Sequence, residues 1–290
     1  MSTHVEKDQV SGRETTGHEW DGIKELNTPL PSWWVYVFWA CCVWSVGYWV
    51  VYPSWPSASG YLHGMFETTN RTQLHETMAN VAAERAPYME RLAALDLDGI
   101  VDDGELLNFS MAGGKAIFAE NCAPCHGTGG SGNPGFPSLQ DDDWLWGGAL
   151  DAINETIHVG VRWDANEDTR FNDMPAFGRD EILERQDISD VVQYVMAFTG
   201  RETDKAAASR GTEIFADNCS SCHGEDAKGV HELGAPNLTD AIWLYGGDLS
   251  TITETVTNSR RGVMPAWGDR LDEETIKMLA VYVHSLGGGQ

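Results

Sequence analysis

Positive charge is scarce in this chain. Lys and Arg number 19 against 44 Asp and Glu in 290 residues, for a formal net charge of −25. Phosphate recognition needs clustered Lys and Arg, so a nucleic-acid partner is excluded. An acidic surface serves two other ends, solubility and attraction of a basic protein partner, and composition does not choose between them. Cysteine is scarce too. The six fall into three pairs, Cys41/Cys42, Cys122/Cys125 and Cys219/Cys222, too few to staple a chain of this length, which excludes a disulfide scaffold.

Long apolar runs are missing everywhere but one place. From Trp33 to Tyr52 the chain reads WWVYVFWACCVWSVGYWVVY without a charge, enough for a helix that crosses the hydrocarbon core of a bilayer. Pro31 and Pro53 bracket it as start and stop signals. The acidic stretch before it is the wrong prelude for a cleavable signal peptide, which needs a short basic start. Lys7, Arg13 and Lys24 precede the span and the nearest base after it is Arg71, so positive-inside counting puts the N-terminus in the cytoplasm. Membrane lipid is therefore an expected partner. Tryptophans 34, 39, 44 and 49 wind around the helix, a pattern that suits packing against other membrane helices as well as lipid.

The second half is written twice. GGKAIFAENCAPCHG matches RGTEIFADNCSSCHG, which pairs Gly114 with Gly211 and Phe118 with Phe215. Farther on, FPSLQDDDWLWGG matches APNLTDAIWLYGG, pairing Pro137 with Pro236 and Trp144 with Trp243. MPAFG at 174–178 then meets MPAWG at 264–268, after a longer loop in the first copy. Each copy closes on an apolar stripe at helical spacing: Ile188, Val191, Val195 and Phe198 in the first, Ile276, Leu279, Val283 and Leu286 in the second. The expected layout is an N-terminal segment (1–30), a membrane helix with flanks (31–56), a connector (57–106) and two helical domains (107–201 and 205–290). In the connector, HETMANVAAERAPYMERLAALD suggests a helix and LDGIVDDGELLN reads as a loop.

Two chemistries besides haem attachment use a Cys-x-x-Cys pair. A structural zinc site needs four ligands, so the two pairs would have to join across the repeats, leaving the histidine after each pair unexplained. A redox dithiol belongs beside a βαβ pattern, and none is visible. Haem accounts for every position: thioether bonds from Cys122 and Cys125 with His126 as axial ligand, then Cys219 and Cys222 with His223. The sixth ligands are expected from Met174 and Met264, each the first residue of its repeat-matched Met-Pro-Ala string and each assigned to the histidine of its own repeat. An axial thioether raises the potential, and two filled axial sites leave no place for oxygen. His158 is the competing ligand in the first repeat. Arg162, Arg170, Arg260 and Arg261 are candidates for pairing with haem propionates, with plain surface solvation as the alternative.

These repeats resemble class I cytochrome c domains. The resemblance implies an all-α fold, one N-terminal transmembrane helix followed by two tandem domains, with two haems c covalently attached. It places Gly114/Phe118 and Gly211/Phe215 on N-terminal helices packed against an aromatic of the closing helix, Tyr194 and Tyr282. It also makes Pro137 and Pro236 the residues whose carbonyls orient the ligating imidazoles. The layout, with DGIKELNTPLPSWW at 21–34 before an aromatic-rich span, resembles the dihaem subunit of cbb3-type cytochrome c oxidases. That implies a bacterial inner-membrane, single-pass protein with periplasmic haem domains. It further implies partnership with a haem-copper catalytic subunit, a monohaem cytochrome c subunit and a periplasmic donor cytochrome c. The chain itself would carry electrons and perform no oxygen chemistry. Two rival readings are the relay subunit of a periplasmic dehydrogenase and a dihaem peroxidase, the latter needing one haem with a displaceable ligand.

Overall fold

The structure is a computed structural model and describes residues 4–287. Two compact units divide it, one up to Glu84 and one from Arg85. In the first, β1 (Thr15–Trp20) and β2 (Ile23–Leu26) pair antiparallel around Asp21 and Gly22, both in the left-handed region. Asp-Gly is the favoured pair for such a turn, so this hairpin in the N-terminal segment was legible in the sequence and was not anticipated. The apolar run forms α1 (Ser32–Val51), bounded by extended backbone at Pro31 and Tyr52, and none of its residues is buried within the chain. A short ribbon, β3 (Pro56–Ser57) with β4 (Gly60–Tyr61), follows it.

The connector helix forms as expected, as α2 (Asn70–Ala94). The stretch expected to be a loop does not. It holds α3 (Leu97–Asp102) and the start of α4 (Gly104–Asn121). Asp103, which read as a loop residue, is the N-cap of α4 and accepts from the Glu105 and Leu106 amides, and Asp96, at the end of the expected helix, caps α3 by accepting from the Gly99 amide. The remaining helices are α5 (Ala123–His126), α6 (Leu150–Val159), α7 (Arg185–Phe198), α8 (Lys205–Asn218), α9 (Ser220–His223), α10 (Leu249–Asn258) and α11 (Glu273–His284).

These helices enclose two hydrophobic cores, and the cores do not coincide with the two repeats. One gathers Leu92, Ile100, Leu106, Phe118, Ile153 and Ile157 with Ile276, Leu279 and Val283 of α11. The other gathers Phe177 and α7 residues Ile188, Val191 and Val195 with Phe215, Ile252 and Val256. The closing helix of each repeat therefore seals the other repeat's core: α11 packs on α4 and α6, and α7 packs on α8 and α10. The aromatic contacts cross in the same way. Phe118 meets Tyr282 (ring centroids 5.4 Å apart) and Phe215 meets Tyr194 (5.5 Å), where contacts within each repeat were expected. The physical reason lies in the link between α7 and α8. Only residues 199–204 separate them, so the two helices fold back as neighbours at little loop-closure cost. A bidentate ion pair fastens that hairpin, from Arg210 Nε and Nη2 to Asp190 (2.6 and 2.7 Å). Exchange of like elements between like cores needs no new contact chemistry, because each repeat supplies the same kind of helix.

Candidate functional site

Each Cys-x-x-Cys-His string is wound into one helical turn at the end of a long helix. The Cys122 amide donates to Phe118 O (2.9 Å) and the His126 amide to Cys122 O (2.9 Å). Cys219 and His223 repeat this with bonds of 2.9 and 3.0 Å. Gly127 and Gly224, at φ 78° and 80°, then end the turn in a conformation that suits glycine. Cys122 packs against the first core and Cys219 against the second, while Cys125 is exposed and Cys222 half-buried. Burial, together with the neighbouring thiol, pushes the free thiols of Cys122 and Cys219 up to about 11.

The histidines are oriented as the resemblance implied. His126 Nδ1 lies 3.0 Å from Pro137 O and His223 Nδ1 3.1 Å from Pro236 O. A carbonyl only accepts, so Nδ1 carries the proton in both rings and Nε2 keeps its lone pair free for a metal. Burial lowers both imidazole pKa values, against a smaller opposing effect of the proline carbonyls, which favours the neutral ligand form.

The methionines change sides. Met174 packs on the core that holds Cys219, beside Leu238 and Trp243, and Met264 on the core that holds Cys122, beside Leu139 and Trp144. Backbone bonds deliver them there in matched register. Phe177 and Gly178 donate to Val256 O and Thr257 O at the end of α10 (3.1 and 3.0 Å), and Trp267 and Gly268 donate to Ile157 O and His158 O at the end of α6 (both 3.0 Å). Each Met-Pro-Ala-aromatic-Gly string is thus laid along the other repeat's helix. The sequence pairs each methionine with the histidine of its own repeat, and the packing sets each on the core of the other repeat's cysteine turn. This placement follows from the same crossing that moves α7 and α11.

Other candidates find different partners. His158 Nε2 lies 2.9 Å from Glu273 Oε1 on α11. Arg170 bonds Glu155 (2.8 Å) and stacks over Trp146, its centroid 5.4 Å away, and Arg260 bonds Thr251 O (2.7 Å) and stacks over Tyr245 at 4.8 Å. Arg162 donates to Gly262 O and Asn172 O, and Arg261 pairs with Asp173. Trp146 and Tyr245 are repeat mates that sequence reading passed over. Each is set against a glycine of the other repeat, Gly234 and Gly135, and the WLWGG/WLYGG match was the signal available. Asp143 was missed as well. It lines a cavity of about 170 Å³ with Asp142, Trp144, Lys228, His231 and Asp240.

The donor set fits haem. Among the described residues no group of three or more His, Cys, Asp or Glu side chains is placed to hold a metal ion, and the two cysteine pairs sit on different cores, so they do not pool into a zinc site. Each core instead carries a half-buried cysteine and a methionine, with an Nδ1-anchored histidine four residues after that cysteine.

Residues 12–59 match the N-terminal domain of cytochrome oxidase-cbb3, FixP; residues 206–283 match cytochrome c oxidase, cbb3-type, subunit III; and residues 111–199 match cytochrome c. The chain is 51% identical over 291 residues to the cbb3-type cytochrome c oxidase subunit FixP of Bradyrhizobium diazoefficiens, covering all of both chains. This chain belongs to the FixP/CcoP family. It is 52% identical to the FixP of Azorhizobium caulinodans, covering 100% of this chain and 98% of the other, and 46% identical to the CcoP of Cereibacter sphaeroides over the whole of both. As a FixP/CcoP chain it carries two cytochrome c domains, hence two covalently bound haems c, behind one N-terminal helix long and apolar enough to cross a membrane.

Proposed function

We propose that the chain is the membrane-anchored electron relay of a cbb3-type oxidase, with its ligands crossed between repeats. Cys122, Cys125 and His126 hold one haem with Met264, and Cys219, Cys222 and His223 hold the other with Met174. The observation that carries this assignment is the packing of each methionine on the core of the opposite Cys-x-x-Cys-His turn. Held by a histidine and a methionine, a haem would supply one-electron transfer and would offer oxygen no open site. The protein's contribution is positional. Pro137 and Pro236 hold the imidazole protons on Nδ1, the cores exclude water, and the Met-Pro-Ala strings fix each thioether.

In this reading the N-terminal segment is cytoplasmic and the haem domains are periplasmic, where haem c is attached. The chain takes electrons from a periplasmic donor cytochrome and delivers them to a haem-copper catalytic subunit, beside a monohaem cytochrome c subunit. Supporting it are the family match, the one membrane-length apolar helix among the described residues and the acidic chain, which suits a basic donor. The test is isolation of the intact chain with its partners from its own membranes in mild detergent. Haem b, copper and a carbon-monoxide-binding haem should accompany two haems c. Haem c alone, or a dehydrogenase in place of the oxidase, would sink the relay assignment.

A further inference from the structure

The loop of the first repeat between His158 and Asp173 is longer than its counterpart in the second. It runs beside the segment that precedes Met264. Val161 and Met264 exchange backbone bonds of 2.9 and 3.0 Å, and Ser259 Oγ donates to Met174 O at 2.7 Å. One side chain spans both segments. Arg162 donates from Nε to Gly262 O (2.7 Å) and from Nη1 to Asn172 O (2.9 Å). These carbonyls stand at equivalent places, each two residues before a methionine. The Arg162 side chain is only 17% exposed, and Asp173 lies between it (4.0 Å) and Arg261. Arg162 and Ser259 both adopt left-handed backbone, at φ 52° and 59°, which is uncommon for residues with a side chain and persists only where the surroundings enforce it.

We propose that Arg162 is a positioning residue for both axial methionines at once, a clasp that couples the ligation of the two haem sites. The proposal rests on Met174 and Met264 being the ligands. A planar guanidinium suits this task because its donors diverge in a fixed fork, so one rigid group holds two carbonyls at a set separation. If the fork is lost, both segments gain freedom, although Arg162 adjoins neither sulfur in sequence. Asp173 belongs to the same clasp, as the counter-charge that holds Arg162 and Arg261 across the two segments.

The experiment uses the full haem-loaded chain and the long-wavelength charge-transfer band of a methionine–ferric haem bond. Met174→His and Met264→His each leave the band reporting on one remaining methionine. Adding Arg162→Gln to either background is expected to weaken the remaining band and to raise carbon-monoxide binding at that site on the order of ten-fold, the scale on which outer-shell partners tune metal ligands. Arg162→Lys, which keeps the charge and loses the fork, is expected to fall on the side of Gln. Should Arg162→Gln fail to accumulate with haem, Asp173→Asn in the Met174→His background decides, with a weakened Met264 band expected. A remaining band untouched by these changes, or disturbed in one background only, overturns the clasp. A band that keeps full strength in Met174→His alone overturns the ligand assignment instead.

Discussion

Gly114 of the first repeat lies against Met278 of the second so closely that a methyl group at Gly114 would stand 2.3 Å from the Met278 carbonyl oxygen. Its mate Gly211 meets the Asp190 carbonyl at 2.2 Å under the same test. At these two crossings, α4 on α11 and α8 on α7, helix backbones approach closely, and both join one repeat to the other.

Gly114→Ala and Gly211→Ala are each expected to destabilise the chain. Overpacking costs about 1–3 kcal/mol. The intrinsic helix preference for alanine returns about 1 kcal/mol at most. Denaturant unfolding of the full haem-loaded chain checks this, and an undiminished midpoint would mean that the backbones do not approach as described.

The exchange makes a prediction about fragments. The second core is contiguous in sequence, from the Met174 string through α10, whereas the first is closed by a helix from the far end of the chain. A fragment of residues 171–260 should therefore fold with one haem and show methionine ligation through Met174. A fragment cut at the repeat boundary, 205–290, holds α8 without α7 and should lack that spectrum. Methionine ligation in 205–290 and none in 171–260 would restore the uncrossed arrangement.

Asp143 links stability to pH. Burial first, then the charges of Asp240, Asp141 and Asp142, pushes its carboxyl up to about 7. An unfolded aspartate titrates near about 4, so the folded chain binds this proton more tightly. The stability it contributes is full below the unfolded value and is lost as pH rises through the folded one. Asp143→Asn should flatten that decline and leave the chain more stable than the native one at a pH of about 8, as thermal unfolding across pH would show.

His158→Ala should leave the visible spectra of both haems unchanged, since its ring is turned to Glu273. A change of axial ligation in the variant would return His158 to the ligand set. A small loss of stability is the expected effect, because an exposed pair of this kind is worth on the order of 1 kcal/mol or less.

The sequence alone carried what is local in the chain. The Cys-x-x-Cys-His turns, the Met-Pro-Ala strings, the single apolar span and the α2 helix all follow from residues adjacent to one another or at helical spacing. The proline carbonyls on His126 and His223 were implied by the resemblance to class I cytochrome c domains, not by spacing. The misreading at 97–108 was local too. Asp103 caps α4 there, and an acid next to a glycine gives the same pattern for a cap as for a turn.

What only the tertiary structure decided is which half of each repeat belongs with which. Two repeats with matched apolar stripes satisfy periodicity equally well whether a closing helix packs on its own core or its neighbour's. The short link at 199–204 and the Asp190–Arg210 pair favour the crossed arrangement, and with it the core on which each methionine packs. The Arg162 clasp was beyond reach of the sequence for the same reason: it joins segments that meet only after the helices have exchanged.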